Sequence, residues 1–465
     1  MNHMLDIFLH NSLTKKKEKF IPLQDNHVKI YACGITTYDI SHLGHARSAL
    51  IGDLLCRLFQ RLSFKVLFVK NYTDIDDKII NRANKDKIAW QDLSADMIAH
   101  YEDNMNQLFI EQPNISPLAS NHIPEMIEMI EELIKQGFAY EVKGDVFFKT
   151  SKLKNYGILS GKNTDQLIAG WRVEINQKKT NPLDFSLWKK HKENEPFFES
   201  PWGNGRPGWH IECSAMSLKY LGRKFDIHIG GSDLIFPHHE NEIAQSESFL
   251  AHKHVSYWLH HEMVRVEGQK MSKSTNNFLS VADALSQYDP ELIRFYLLST
   301  HYRSIIDFKK DSIKTSVDGL NRLYRALGSE FIAQDVSTKQ LLTEFLSALA
   351  DDLNTPKAIS ILFNWANQIN KLTDEAKKYQ LRSALFEAGR SIGIFNSSFK
   401  KWFTKSKIHQ TQKLSDTEIS DYIEKRTRAR QDKDWVLSDK IRDLLVAQHI
   451  TIQDKNGVTT WQRDD

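Results

Sequence analysis

A chain of 465 residues, 41% hydrophobic and 26% charged, is too long for one ordinary core and has the make-up of a soluble multidomain protein. No apolar run reaches the roughly 18 residues of a membrane span, and the first residues lack a signal-peptide pattern, so a cytoplasmic protein without membrane association is expected. Three cysteines (Cys33, Cys56, Cys213) cannot make a disulfide framework, and a net charge of +3 provides no whole-molecule field for nucleic acid.

In chain order, an apolar strand Val28-Lys29-Ile30-Tyr31-Ala32-Cys33 ends at Gly34. A helix is predicted from His42, with Leu50, Leu54, Leu58, Phe59 and Leu62 on one face, and a second strand follows at Val66-Leu67-Phe68-Val69. Strand, helix and strand at this spacing open a parallel, doubly wound α/β sheet, whose ligands bind at the carboxyl ends of the strands. Two helices are predicted between Trp90 and Gln136, the second spanning 124–136. Residues 137–200 turn to short β-like runs and polar turns, an insertion in the sheet domain. A further strand is predicted at Phe225 to Ile229 and a helix from Pro237 to His252. Beyond Lys273 the pattern is nearly all helical, with long amphipathic stretches over about 310–400 that suggest an antiparallel bundle. A polar stretch at 404–416 reads as a linker. Helices Thr417 to Gln431 and Trp435 to Gln448 and a short strand Ile450-Thr451-Ile452 close the chain.

Two short motifs suit phosphate. In His42-Leu43-Gly44-His45, histidines flank a glycine at the start of a helix, where unpaired N–H groups and the helix dipole favour an anion. Gly44 leaves room for a base close to the backbone, though taken alone the tetrapeptide fits a solvated surface turn equally well. Lys270-Met271-Ser272-Lys273-Ser274 can clamp a pyrophosphate with two point charges and hydroxyl donors; by itself such a string is usually a polar loop. The two together, one after the first strand and one far down the chain, resemble the paired signatures of the class I aminoacyl-tRNA synthetases.

Cys33, Cys213, His238 and Glu242 form a further set. His238 and Glu242 are four apart on a predicted helix and share a face, and thiolate, imidazole and carboxylate are ordinary zinc ligands. Spacing alone leaves open that the cysteines are buried small hydrophobes, the reading that fits Cys56. Tyr31-Ala32-Cys33-Gly34, Gly208-Trp209-His210-Ile211-Glu212-Cys213 and Phe236-Pro237-His238-His239-Glu240-Asn241-Glu242 together resemble the cysteinyl-tRNA synthetases, and the likeness runs over essentially the whole chain.

That resemblance implies a Rossmann-type parallel-sheet catalytic domain with an inserted subdomain, followed by a helical bundle and a small C-terminal α/β domain. The corresponding boundaries are 1–124 and 206–285 for the two halves of the catalytic domain, 125–205 for the insertion, 286–315 for a stem-contact region, 316–405 for the bundle and 406–465 for an anticodon-reading domain. It implies ATP-dependent ligation of L-cysteine to tRNA(Cys) through a cysteinyl-adenylate, by a monomer using one Zn2+ and Mg2+ with ATP. His42, His45, Lys270 and Lys273 would be catalytic, and Gly34, Gly44, Ser272 and Lys273 would bind nucleotide. Thr73 and Trp209 would contact cysteine, whose thiolate zinc would select on Cys33, Cys213, His238 and Glu242. His210 and His239 resemble pocket histidines of the family. Arg430, Trp435, Asp439 and Asp454 match anticodon-reading positions, since aromatic, guanidinium and carboxylate groups suit unstacked bases. Alternatives are a cysteine ligase acting on an amino sugar, which lacks this tail, and a non-catalytic synthetase-like binding protein, which is expected to lose the motif lysines or histidines. Three positions depart from the family pattern: Ile35 in place of proline, Glu262 in place of glycine, and Thr275-Asn276 after the lysine motif.

Overall fold

The computed structural model describes residues 5–163, 178–270, 279–332, 337–409, 416–431, 434–447, 450–455 and 458–463. Two compact units divide the chain, Met1–Asn396 and Ser397–Asp465.

The first unit is organised by a four-stranded parallel sheet in the order Val255–His261, Phe225–Gly231, His27–Ala32, Lys65–Lys70. The strand Phe225–Gly231 is buried at every position, as expected where helices cover both faces of a parallel sheet. From His27–Ala32 the chain passes to a neighbour on one side and later returns to pair on the other. The order therefore reverses beside Ala32, and a crevice forms at the carboxyl ends of these strands. The crossover helix Leu43–Arg61 buries Leu50, Leu54 and Leu58 at a spacing of one turn.

The predicted insertion contains a four-stranded antiparallel sheet, Ala139–Val142, Asp145–Phe148, Phe185–Lys190 and Gly205–Pro207. Leu187 and Trp188 on its third strand are fully buried. Asp77, at the start of the helix Asp77–Asp86, accepts from Lys189 Nζ at 2.5 Å and from Arg206 Nη2, tying this sheet to the end of the parallel one. A small sheet joins Val264–Val266 to Gln269–Lys270 and Ile306–Phe308. Helices Lys310–Leu327, Lys339–Ala350 and Glu375–Ser391 each pack on Thr355–Lys371, forming the expected helical bundle.

The second unit holds helices Phe399–His409, Asp416–Gln431 and Trp435–Ala447 and the hairpin Ile450–Lys455 with Val458–Arg463. Ile419, Ile441, Leu445 and Ile450 form its small core.

Two expectations about elements are corrected. Residues 404–409, read as linker, continue a helix, because Phe399 and Phe403 one turn apart meet at 4.6 Å and the lysines that follow are good helix formers. The helix placed from Pro237 starts at Glu240 and ends at Leu250. His238 and His239 lie in a wide π-type turn, Ile235–His239, that leads into it.

Candidate active site

His42 caps the helix Leu43–Arg61, and its imidazole Nδ1 accepts the N–H of Gly44 at 3.1 Å. His45, three residues on, accepts the N–H of His42 on its own Nδ1 at 3.3 Å. This is a capping box in which two imidazoles replace the usual hydroxyl and carboxylate, with the rings stacked 3.8 Å apart. Burial holds both rings below the ordinary histidine range, His45 well below it. A neutral ring with Nδ1 accepting carries its proton on Nε2, so both histidines are Nε2–H donors. The first turn contains no acidic residue, which leaves the positive end of the dipole uncompensated.

The described residues that follow the lysine motif reach this turn. Lys270 ends the strand Gln269–Lys270, and Leu279 O accepts the N–H of Leu43 at 3.4 Å beside a bridge between His42 and Ser280. Ser272 and Lys273 lie outside the described residues, as do Thr275 and Asn276.

A cavity of about 320 Å³ runs from this turn to the end of the first sheet strand. Its lining includes Cys33, Gly34, His42, Gly44, His45 and Trp209. Gly34 has no room for a side chain, since a Cβ there would sit 1.4 Å from the carbonyl oxygen of Asn71. The Gly34 N–H donates to Asn71 Oδ1 at 3.0 Å, and Ile35 O accepts from Thr73 N at 3.1 Å, so the two strand ends are stitched together without a proline.

Against the Cys33 end lies a buried donor cluster. Cys33, Cys213, His238 and Glu242 bring one ligand atom each to within 4.8 Å of the others, an arrangement able to hold a metal ion. Cys33 Sγ is 3.5 Å from Cys213 Sγ and 3.2 Å from Glu242 Oε1, and His238 Nε2 is 3.1 Å from Glu242 Oε1. Burial raises the Cys33 thiol. Cys213 is drawn down to about 6, against its own burial, by the hydrogen bond from Cys33 and by His238. Burial also opposes ionisation of Glu242, yet His228 and His238 hold that carboxyl well below its usual range. The thiolate of Cys213 and the carboxylate of Glu242 are thus favoured, while Cys33 keeps its proton.

Behind the cluster, His228 Nε2 meets Glu242 Oε2 at 2.9 Å, and His210 Nδ1 meets His238 Nδ1 at 2.9 Å. His239 Nε2 lies 3.3 Å from Cys33 Sγ and its Nδ1 is 2.8 Å from His260 Nε2. Sequence reasoning gave no role to His228 or His260. The available signal was a histidine flanked by isoleucines in the strand run Phe225-Asp226-Ile227-His228-Ile229. Trp209, about a third exposed, sets its ring 4.2 Å from that of His238 at the cavity mouth. Thr73 is buried outside the cavity lining, and its hydroxyl donates to Glu212 Oε2 at 2.8 Å. Glu262, one of the departures, also lines the cavity and accepts from Ser232 Oγ at 3.1 Å. Cys56 stands apart from all of this, buried on the crossover helix.

In the second unit, Arg430 Nη1 binds Asp454 Oδ2 at 2.7 Å, so two of the four expected base-reading residues form one group. Arg426 and Thr459 also donate to Asp454 and hold its carboxyl far below the usual range. Asp439 is exposed and pairs with Arg442 at 3.4 Å, and Trp435 begins the helix Trp435–Ala447.

Residues 19–318 match the family described as tRNA synthetases class I (C) catalytic domain, and residues 344–396 match the DALR domain. A protein named Cysteine--tRNA ligase from Thermodesulfovibrio yellowstonii is 43% identical over 97% of this chain and 98% of its own length. Proteins of the same name from Geobacter sulfurreducens and Shewanella pealeana are 42% and 44% identical, each over 98% of this chain and 99% of their own. The fold is shared with Mycobacterium tuberculosis methionyl-tRNA synthetase in complex with methionyl-adenylate. That structure has a TM-score of 0.56 at 15% identity and covers 79% of this chain and 89% of its own. No described helix is long and apolar enough to cross a membrane. By both its domains and its full-length relatives, the chain belongs to the class I aminoacyl-tRNA synthetases, and within them to the cysteinyl-tRNA synthetases.

Proposed function

We propose that the chain performs its family's reaction, ATP-dependent ligation of cysteine to tRNA(Cys), with the thiol held at one end of the 320 Å³ cavity and the triphosphate at the other. The observation that carries this assignment is the shared cavity, with Cys33 at one end and the His42–His45 capping box at the other.

Zinc fits the donor set. With zinc–sulfur bonds of about 2.3 Å and zinc–nitrogen or oxygen bonds of about 2.0 Å, a tetrahedral site has ligand–ligand edges of roughly 3.3–3.8 Å. Edges of 3.5, 3.2 and 3.1 Å need little adjustment to reach this. Cys33, Cys213, His238 and Glu242 would hold the ion, with His238 ligating through Nε2 and donating its Nδ1–H to His210. The overlapping set Cys33, His228, His239 and Glu242 suits it less, because it has a single thiolate and His228 already braces the second oxygen of Glu242. When bound, zinc supplies a preference for thiolate over hydroxyl, where a pocket sensing shape alone gains about 1–3 kcal/mol between such similar substrates.

The residues of the chain then have distinct tasks. Trp209 closes the amino-acid pocket over His238, and Thr73 is assigned to contact cysteine, its buried hydroxyl being held by Glu212. Gly34 and Gly44 both line the cavity, Gly44 being assigned to the nucleotide and Gly34 letting the two strand ends meet beside it. A carboxylate oxygen of cysteine attacks the α-phosphorus of Mg-ATP, and the bond to the bridging oxygen breaks to release pyrophosphate. His42 and His45 donate from Nε2 to the charge that develops, and Lys270, Ser272 and Lys273 neutralise the departing group. A terminal ribose hydroxyl of tRNA next attacks the adenylate carbonyl and releases AMP.

Residues 1–124 and 206–285 are assigned as the two halves of the catalytic domain and 125–205 as the insertion. Residues 286–315 are assigned to stem contact, 316–405 to tRNA binding and 406–465 to anticodon reading by Arg430, Trp435, Asp439 and Asp454. A cytoplasmic monomer is assigned with them. The test is ATP–pyrophosphate exchange over a panel of amino acids, with and without a zinc chelator. Exchange stimulated by cysteine alone and lost on chelation is expected, and equal stimulation by serine would refute it.

A further inference from the structure

Lys70 closes the strand Lys65–Lys70 and is 6% exposed. Lys70 lines the same cavity as His42, Gly44 and His45. The partner of Nζ is neutral, the hydroxyl of Tyr101, over whose ring it also sits at 4.9 Å from the centroid. Among the described residues no carboxylate lies within ion-pair distance of it. The carboxylates of Asp233 and Glu262 line the same cavity without pairing with Lys70, and positive groups stand against them. The N-terminus of a 19-residue helix opens into this cavity with no acid in its first turn, and Lys78 also lines the wall. Next to it His45 is held neutral, chiefly by burial, with His42 and Lys70 adding to the effect.

A buried cation without a counter-ion is costly, so binding an anion is the change that would relieve it. The missing partner must be an anion small enough to reach the cavity floor and rich in acceptor oxygens. Resting on the nucleotide reading of this cavity, we propose that Lys70 is a phosphate-binding residue of the adenylation step, donating from Nζ to a phosphate oxygen of ATP. No proton changes hands. The lysine offsets negative charge while the α-phosphorus gains the cysteine carboxylate oxygen and loses pyrophosphate.

The experiment compares zinc-loaded wild type, Lys70→Met and Lys70→Arg by cysteine-dependent ATP–pyrophosphate exchange and by thermal melting with ATP or cysteine. A charge-assisted hydrogen bond corresponds to roughly a 10- to 100-fold change. Lys70→Met is therefore expected to raise the KM for ATP by about that factor, keep the KM for cysteine within about twofold, and lose the ATP-induced rise in Tm. Lys70→Arg is expected to recover most of the ATP affinity. An unchanged KM for ATP in Lys70→Met overturns the proposal. So does a parallel loss of cysteine affinity and Tm in Lys70→Met that arginine does not repair, since that marks a structural role. A wild type that shows no cysteine-dependent exchange instead refutes the parent reading, so the two failures are distinguishable.

Discussion

Arg294 and Asp53 form an ion pair with no exposed side-chain surface, joining the helix behind the His42 turn to the helix Pro290–Leu298. Arg294 also donates to the carbonyls of Leu108, Phe109 and Ile392, while Asp53 accepts from Arg57 and from the N–H of Glu111. Each charge is therefore fully coordinated, and removing either strands the other. Asp53→Ala is expected to cost about 3–5 kcal/mol of folding stability by urea denaturation. A loss below about 1 kcal/mol would show that the pair is dispensable.

His228 hydrogen-bonds to Glu242 of the proposed metal site, fixing the carboxylate so that its other oxygen faces Cys33 and His238. Groups in this position typically change metal affinity about 10–100-fold. His228→Gln should weaken zinc binding by that factor in a chelator competition while leaving one site per chain. Cys213→Ser should abolish stoichiometric zinc and raise the KM for cysteine more than that for ATP. Full metallation of Cys213→Ser would exclude that cysteine as a ligand.

Gly34→Ala places a methyl group inside van der Waals range of the Asn71 carbonyl and must push the two strand ends apart. A destabilisation of about 1–3 kcal/mol is expected, as for other overpacked sites, together with loss of exchange activity. Activity close to wild type would mean that the strand ends can separate at no cost to the pocket.

Glu291 provides a pH test away from the catalytic cavity. Burial pushes its carboxyl up to about 7, although Tyr324, Phe395 and Asn396 all donate to it. The folded chain therefore holds this proton more tightly than the unfolded chain. The contribution to stability is complete below about pH 4.5 and is lost as pH rises to about 7, a difference on the order of 3 kcal/mol. Glu291→Gln should flatten the fall in stability across that interval relative to wild type. Identical slopes for the two proteins would assign the fall to other groups.

The βαβ opening was legible because alternating and one-turn periodicities are strong there, and Leu50, Leu54 and Leu58 are buried as their spacing predicted. Local sequences around Cys33, Cys213 and His238 carried the donor cluster, whose members lie far apart along the chain. What periodicity could not give was the surrounding shell. His228 lies in a strand and Lys70 at a strand end, and each acts through partners that only the packing of several elements brings near. The wide turn before Glu240 was hidden because the stretch is too short to show a period of its own, and Phe236 within it is extended.

The imidazole capping box limits what chemistry the two histidines can perform. Each ring has committed one nitrogen to the main chain, so neither can ferry protons between two partners without unwinding the helix end. They can present hydrogen toward a ligand and withdraw it again, and that is the extent of their repertoire. Methylation would read this asymmetry directly: at the outer nitrogen it would silence the donor and spare the turn, and at the inner one it would fray the helix itself.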